Sequence, residues 1–175
     1  MNIKKIQSLL SVILFLSVSV AMAQDFTPPT DLKNEKPEEY KQYEKDILKC
    51  IDYLENTPIN TERENRLKAR DFLVNWVTGS PDITVALSPD ITVFMDRNPD
   101  LITAFYGGYT RYAIQHPEDK GVVKANVAGL KSVIKIYKMG NGIKDDDKVN
   151  KLVKTDSRGE LEKWVKEQLA KDAKK

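Results

Sequence analysis

The residues of this chain that could do chemistry are few, and their spacing singles out one helix. Gly107 and Gly108 stand side by side in a run that is otherwise apolar and aromatic. Phe105-Tyr106 precede them, Tyr109 and Tyr112 follow, and Arg111 lies within the same turn. Two glycines inside a helix cost roughly 1 kcal/mol each relative to alanine, so something should compensate. Two compensations are open. In the first, the glycines let two helices approach closely, against Ala125 and Gly129, which are spaced four apart on the following helix. In the second, they open a groove that the aromatic rings line, with Arg111 placed for an anionic group. Aromatic walls with few polar groups suit a ligand pocket and a core alike. Phe105, Tyr106, Gly107, Gly108, Tyr109, Arg111 and Tyr112 are therefore the candidate binding residues.

Other chemistries are poorly served. Cys50 is the only cysteine and His116 the only histidine. No intrachain disulfide can form, and a Cys/His zinc site cannot be assembled from one of each. Cys50 falls on or beside the apolar stripe of its helix and reads as a small core residue. His116 precedes Pro117 at a helix end and could serve as a general base, but no Ser or Cys motif points to it. Asp145-Asp146-Asp147 beside Asn141 and Gly142 invite a calcium reading, yet the ligand order of a calcium loop is not met. Acids at a helix start explain the run without metal. No phosphate-binding loop or dinucleotide fingerprint occurs. No catalytic residue, metal or cofactor is assigned.

These residues sit in a chain that begins like an exported one. Residues 1–23 hold Lys4 and Lys5, an apolar stretch from Leu9 to Ala21, and the small-x-small triplet Ala21-Met22-Ala23. That is the pattern of a secretion signal, too short for a membrane span. The chain has 28 Lys+Arg against 26 Asp+Glu, and the excess is those two lysines. The remainder is formally neutral, which gives little reason to expect nucleic acid or an anionic membrane as partner. Residues 24–37, with Pro28, Pro29 and Pro37, read as an extended leader with little to bury. Residues 38–175 form one domain by length.

The elements that must position the candidate residues are helical. Tyr40, Tyr43, Ile47, Ile51 and Leu54 recur at steps of three and four and predict a helix from Glu38 to about Asn56. Thr61-Glu62-Arg63-Glu64 has capping-box spacing and opens a second helix, with Leu67, Phe72, Leu73, Trp76 and Val77 inward and Gly79 as its stop. Ser80-Pro81-Asp82-Ile83-Thr84-Val85 recurs as Ser88-Pro89-Asp90-Ile91-Thr92-Val93, with a looser copy at Asn98-Pro99-Asp100-Leu101. The repeat is too short for a solenoid unit and reads as repeated punctuation. Its first copy suits an extended segment and its second a short helix up to Asp96. Further helices are predicted from Pro99 to Gln115, from Glu118 to Lys138, and after Asp147. A second capping box, Ser157-Arg158-Gly159-Glu160, predicts the last. The five prolines after Pro37 all fall at element boundaries, none inside a predicted helix.

Trp76-Val77-Thr78-Gly79-Ser80-Pro81, Gly107-Gly108 with Tyr112-Ala113, and Asn126-Val127-Ala128-Gly129-Leu130 followed by Val133-Ile134 and Tyr137 carry a likeness over residues 65–140. On these loose motifs the chain resembles an uncharacterised family of small exported helical proteins of Bacteroidetes-type bacteria. The resemblance implies a periplasmic or secreted setting, and it brings no activity and no catalytic residue with it.

The fold expected is all-α: five or six principal helices packed as antiparallel hairpins, as a bundle or a short stacked array, with one irregular segment around 80–98. The function expected is non-enzymatic binding in the bacterial cell envelope, with an envelope protein or a small ligand as partner. The competing reading is a hydrolase of envelope material that uses carboxylates or His116. A deep pocket with converging carboxylates would favour the enzyme, and an exposed apolar groove the binding protein.

Overall fold

The structure is a computed structural model that describes residues 26–29, 36–85 and 87–174. The expected signal segment, residues 1–23, lies outside the described residues. Among the described residues there are seven α-helices and no strand. They are α1 (Pro37–Lys41), α2 (Glu44–Asn56), α3 (Arg63–Gly79), α4 (Leu101–Gln115), α5 (Val122–Met139), α6 (Asp147–Ser157) and α7 (Leu161–Asp172). A 3-10 turn, Val93–Asp96, interrupts the irregular segment before α4. None of these helices is long and apolar enough to cross a membrane.

Three helical hairpins follow one another. α4 and α5 make the most extensive contact, α2 and α3 both pack on α4, and α6 and α7 both pack on α5. The central hairpin is thus clasped between the outer two. Its core is continuous with theirs through Ile51, Leu73, Phe105, Leu130, Val149 and Val165, all buried. Phe94 of the 3-10 turn is buried as well, its ring 6.1 Å from that of Phe105. The eight-residue repeat therefore has unlike outcomes: its first copy has no regular structure at 83–85, and its second winds into the turn.

Several local expectations are corrected. The helix predicted from Glu38 to Asn56 is broken at Gln42 and Tyr43 into α1 and α2. The break lets α1 cross α3: Trp76 Nε1 donates to the Tyr40 carbonyl at 2.9 Å, and the Tyr40 ring covers Gly79. Gly79 is thus required by that close approach and not by a left-handed stop, since its φ is not positive. The first capping box does not close. The Thr61 hydroxyl donates back to the Pro58 carbonyl, while Glu62 adopts left-handed backbone at φ 45° and accepts from the Tyr53 hydroxyl at 2.7 Å. Leu67, expected inward, is exposed on the outer face of α3.

The second box fails in the same way, because Ser157 ends α6 and its hydroxyl donates to the Lys154 carbonyl. Asn98, which precedes α4, has its partner far along the chain. Its side-chain amide pairs with both backbone groups of Lys144, donating at 2.9 Å and accepting at 2.8 Å, and so ties the irregular segment to the α5–α6 joint. The fourth predicted helix starts at Val122 and not Glu118, because Asp119 turns the chain by accepting from the Gly121 amide at 2.9 Å. The leader has more to bury than its composition promised. Phe26 is buried against Tyr53 and Phe72, and its carbonyl accepts from Asn65 at 2.8 Å.

Candidate functional site

The glycine pair of α4 is divided by the fold. Gly107 faces the first hairpin, where a β-carbon would lie 3.2 Å from Ile51 Cγ2. Gly108 faces α5, where a β-carbon would lie 2.8 Å from the Ala128 carbonyl carbon and closer still to its oxygen and to Ser132 Oγ. Gly129 answers from the other side, since a β-carbon there would lie 2.8 Å from the Phe105 ring. The small residues of the two helices let their backbones meet, which is the close-packing reading. Phe105 and Tyr109 are accordingly core residues, with the Tyr109 hydroxyl donating to the Thr84 carbonyl at 3.0 Å. Tyr106 is half-buried against the core and stands apart from any opening beside Gly108.

An opening nevertheless exists. Gly108, Arg111 and Tyr112 are brought together in the wall of a cleft of about 320 Å³ at the junction of α2, α4 and α5. Of the seven candidate residues the structure assembles these three, and it adds Glu55, Lys131, Ser132 and Lys135, which the sequence reading did not single out. The cleft is cationic at its rim, through Arg111, Lys131 and Lys135, while most of its wall is apolar surface.

Glu55 organises it. Its side chain is only 4% exposed, although it sits in the last turn of α2. Burying a carboxylate is costly unless charge and hydrogen bonds satisfy it, and two neighbouring helices, α4 and α5, contribute to do so. Ser132 of α5 donates its hydroxyl to Oε1 at 2.5 Å, and Arg111 of α4 donates to Oε2 at 3.1 Å. Lys135, one turn beyond Ser132, reaches Oε2 at 3.4 Å. Arg111 also donates to Asp52, one turn earlier on α2, at 2.6 Å. An arginine has five N–H donors and a lysine three, so both cations retain donors at the cleft after these bonds. Lys131 lines the same cleft with no hydrogen-bonding or ion-pair partner among the described residues.

A second opening, of about 260 Å³, lies beside His116 between α4, α5 and the segment around Thr84. The imidazole stacks on Tyr112 with ring centroids 4.5 Å apart, and its Nδ1 is 3.7 Å from Glu118. Two carboxylates, Asp82 and Asp119, belong to this wall, which contains no serine or cysteine. Both are already engaged. Asp82 pairs with Lys41 at 3.9 Å, and Asp119 accepts from the Tyr112 hydroxyl at 2.7 Å and pairs with Lys124 at 3.2 Å. The Tyr112 hydroxyl, the Gly121 amide and Lys124 favour the ionised Asp119 and hold its pKa down at about 2. A carboxylate held so firmly in its charged form is a poor proton donor near neutrality.

The remaining chemistry-bearing residues are structural. Cys50 is buried and donates to the Ala69 carbonyl at 3.1 Å; burial pushes its thiol far up, so the nucleophilic thiolate is disfavoured. In the acidic run, Asp146 caps α6 through the Lys148 amide at 2.8 Å, and Asp145 accepts from Asn150 at 3.0 Å and from the Tyr137 hydroxyl at 3.1 Å. Among the described residues no group of three His, Cys, Asp or Glu side chains converges as a metal site would require.

The sequence did carry signals for the missed residues. Glu55 falls four positions after Ile51 and eight after Ile47, on the inward stripe of its helix, where an acid needs partners. Ser132 continues the small-residue ridge of Ala125 and Gly129 at the next turn. Compared with protein families, curated proteins and solved structures, the chain matches none.

Proposed function

We propose that this chain is a non-enzymatic binding protein of the bacterial cell envelope, and that it holds an anionic group of its ligand in the cleft above Glu55. The observation that carries the reading is the disposition of charge around one buried acid. Glu55 fixes Arg111, Lys135 and Ser132 in place, and Lys131 completes the rim with its charge unspent. Cations positioned before the ligand arrives lose less freedom on binding, which favours affinity.

The competing hydrolase reading finds less support here. Ser132 and Glu55 have the separation of a nucleophile and its base. Ser132 lies in the middle of α5, however, where backbone amides are used by the helix and cannot form an oxyanion hole. The envelope setting rests on the signal-like pattern of residues 1–23. Recovery of the protein with the cytosolic fraction of its cells would count against that part.

The cleft is tested by amide-resolved NMR titration with galacturonate, a small carboxylate without an apolar body. Saturable shifts at Gln115, Lys131 and Lys135 are expected, together with their loss in Lys131→Glu at an unchanged melting temperature. Shifts scattered over the surface, or none at all, would remove the cleft as a binding site.

A further inference from the structure

Formal neutrality of residues 24–175 conceals a strongly one-sided helix. From Lys120 to Lys144 the sequence contains six lysines and not one acid. Four of them, Lys124, Lys131, Lys135 and Lys138, lie on α5. At 100° per residue their directions fall within an arc of about 60°, and at 1.5 Å per residue they span about 21 Å of helix axis. The burial pattern agrees: the exposed residues of α5 are Val122 and these four lysines. Lysine side chains thus form the outer edge of α5, and the cleft above Glu55 opens at the middle of that edge, between Lys131 and Lys135.

The opposing acids are few. Asp119 pairs with Lys124, and Glu55 with Lys135. Glu162 of α7 bears on Lys124 but is itself paired with Lys166 at 2.6 Å. Lys131 and Lys138 have no ion-pair partner among the described residues. Like charges aligned without counter-charges raise the local potential and repel one another, a cost that a polyanion laid along them would relieve.

We infer that this ridge binds a linear acidic polysaccharide, one of whose carboxylates enters the cleft; the inference rests on the binding reading above and names its ligand class. Three features of the ridge select that class. It has no exposed aromatic ring, so it offers single-stranded nucleic acid no stacking platform. The one exposed large apolar residue of α5, Val122, lies about 160° around the helix from Lys124, so the lysine edge provides neither a wedge into lipid nor the desolvated anchors on which protein partners depend. Its cations are lysines, point charges on flexible stems, which suit carboxylates that recur along a polymer in varying poses.

The test compares polygalacturonate with galacturonate, using wild type and Lys124→Gln/Lys138→Gln, whose altered positions flank the cleft. Neutral dextran, single-stranded DNA, an acidic peptide and anionic vesicles serve as further probes. Polygalacturonate should bind more tightly than the monomer and weaken with added salt. The double variant should lose about tenfold in affinity for the polymer while binding the monomer as wild type does. Equal polymer affinity in the folded variant would overturn the ridge, as would equal or tighter binding of DNA, peptide or vesicles. Monomer binding with no gain from the polymer would also overturn the ridge while keeping the cleft. Polymer binding sensitive to the ridge but without monomer binding would keep the ridge and overturn the cleft. Binding of neither would remove both.

Discussion

Ser132 and Glu55 are 77 positions apart in the chain, yet the serine hydroxyl donates to the glutamate carboxylate at 2.5 Å across the junction of α5 and α2. The bond exists because Gly108 has no side chain. A β-carbon on α4 at that point would occupy the space that Ser132 Oγ and the Ala128 carbonyl share. One glycine therefore sets the approach of the central helices and the satisfaction of the acid beneath the cleft.

Gly108→Ala should destabilise the protein, whereas Gly107→Ala should be close to neutral. Alanine in a helix gains about 1 kcal/mol over glycine, and overpacking against a neighbouring backbone costs about 1–3 kcal/mol. At Gly108 the obstacle includes main-chain atoms at 2.8 Å or less; at Gly107 it is an isoleucine methyl at 3.2 Å, which can move. Urea unfolding of the two variants measures the contrast, and a Gly108→Ala protein as stable as wild type would refute the close-packing account.

Removing the hydroxyl of Ser132 should cost about 1–3 kcal/mol, the penalty for leaving a buried acceptor short of a donor. The loss should be smaller when Glu55 is already alanine, because the partner is then gone. A double-mutant cycle by chemical denaturation reads the coupling, expected at about 0.5–3 kcal/mol. Additive effects would mean that the two residues do not share a stabilising bond.

Asp119 should make stability depend on acid. Its pKa is lowered from 3.8 to about 2 in the folded protein, first by the Tyr112 hydroxyl and then by the Gly121 amide and Lys124. A depressed carboxylate stabilises the fold above its unfolded pKa and loses that contribution as pH falls through the folded one. The difference in melting temperature between wild type and Asp119→Asn should therefore be full above about pH 4 and vanish toward pH 2. NMR titration of the Asp119 carboxyl gives the same answer at the residue; a midpoint near the ordinary carboxylate value would contradict it.

Much of the architecture follows from local rules. The apolar steps of three and four around Ile47, Phe72, Leu130 and Leu152, punctuated by Pro58, Pro99, Pro117 and Gly140, specify helices and their ends wherever one face must be buried. Local rules fail where a side chain has a better partner far away. Asn98 leaves the start of α4 for the backbone of Lys144, and Tyr40 abandons a continuous helix to cover Gly79. Neither exchange is visible in a window of a few residues. The capping boxes at Thr61 and Ser157 fail more locally, because each hydroxyl bonds to the carbonyl three residues earlier.

The candidate site divides along the same line. The sequence by itself determined which residues share a helix face: Gly108, Arg111 and Tyr112 on α4, and the lysines of α5 at intervals fixed by 3.6 residues per turn. It also determined that Cys50 and His116 each stand without a second residue of their type. Tertiary structure alone decided that Glu55 would lie beneath Arg111 and Lys135, that the glycine pair would face two different hairpins, and that Phe105 and Tyr109 would serve the core. The physical reason is range. Periodicity and capping act over one or two turns, whereas the energy of a buried charge depends on whatever the fold brings within about 3 Å of it.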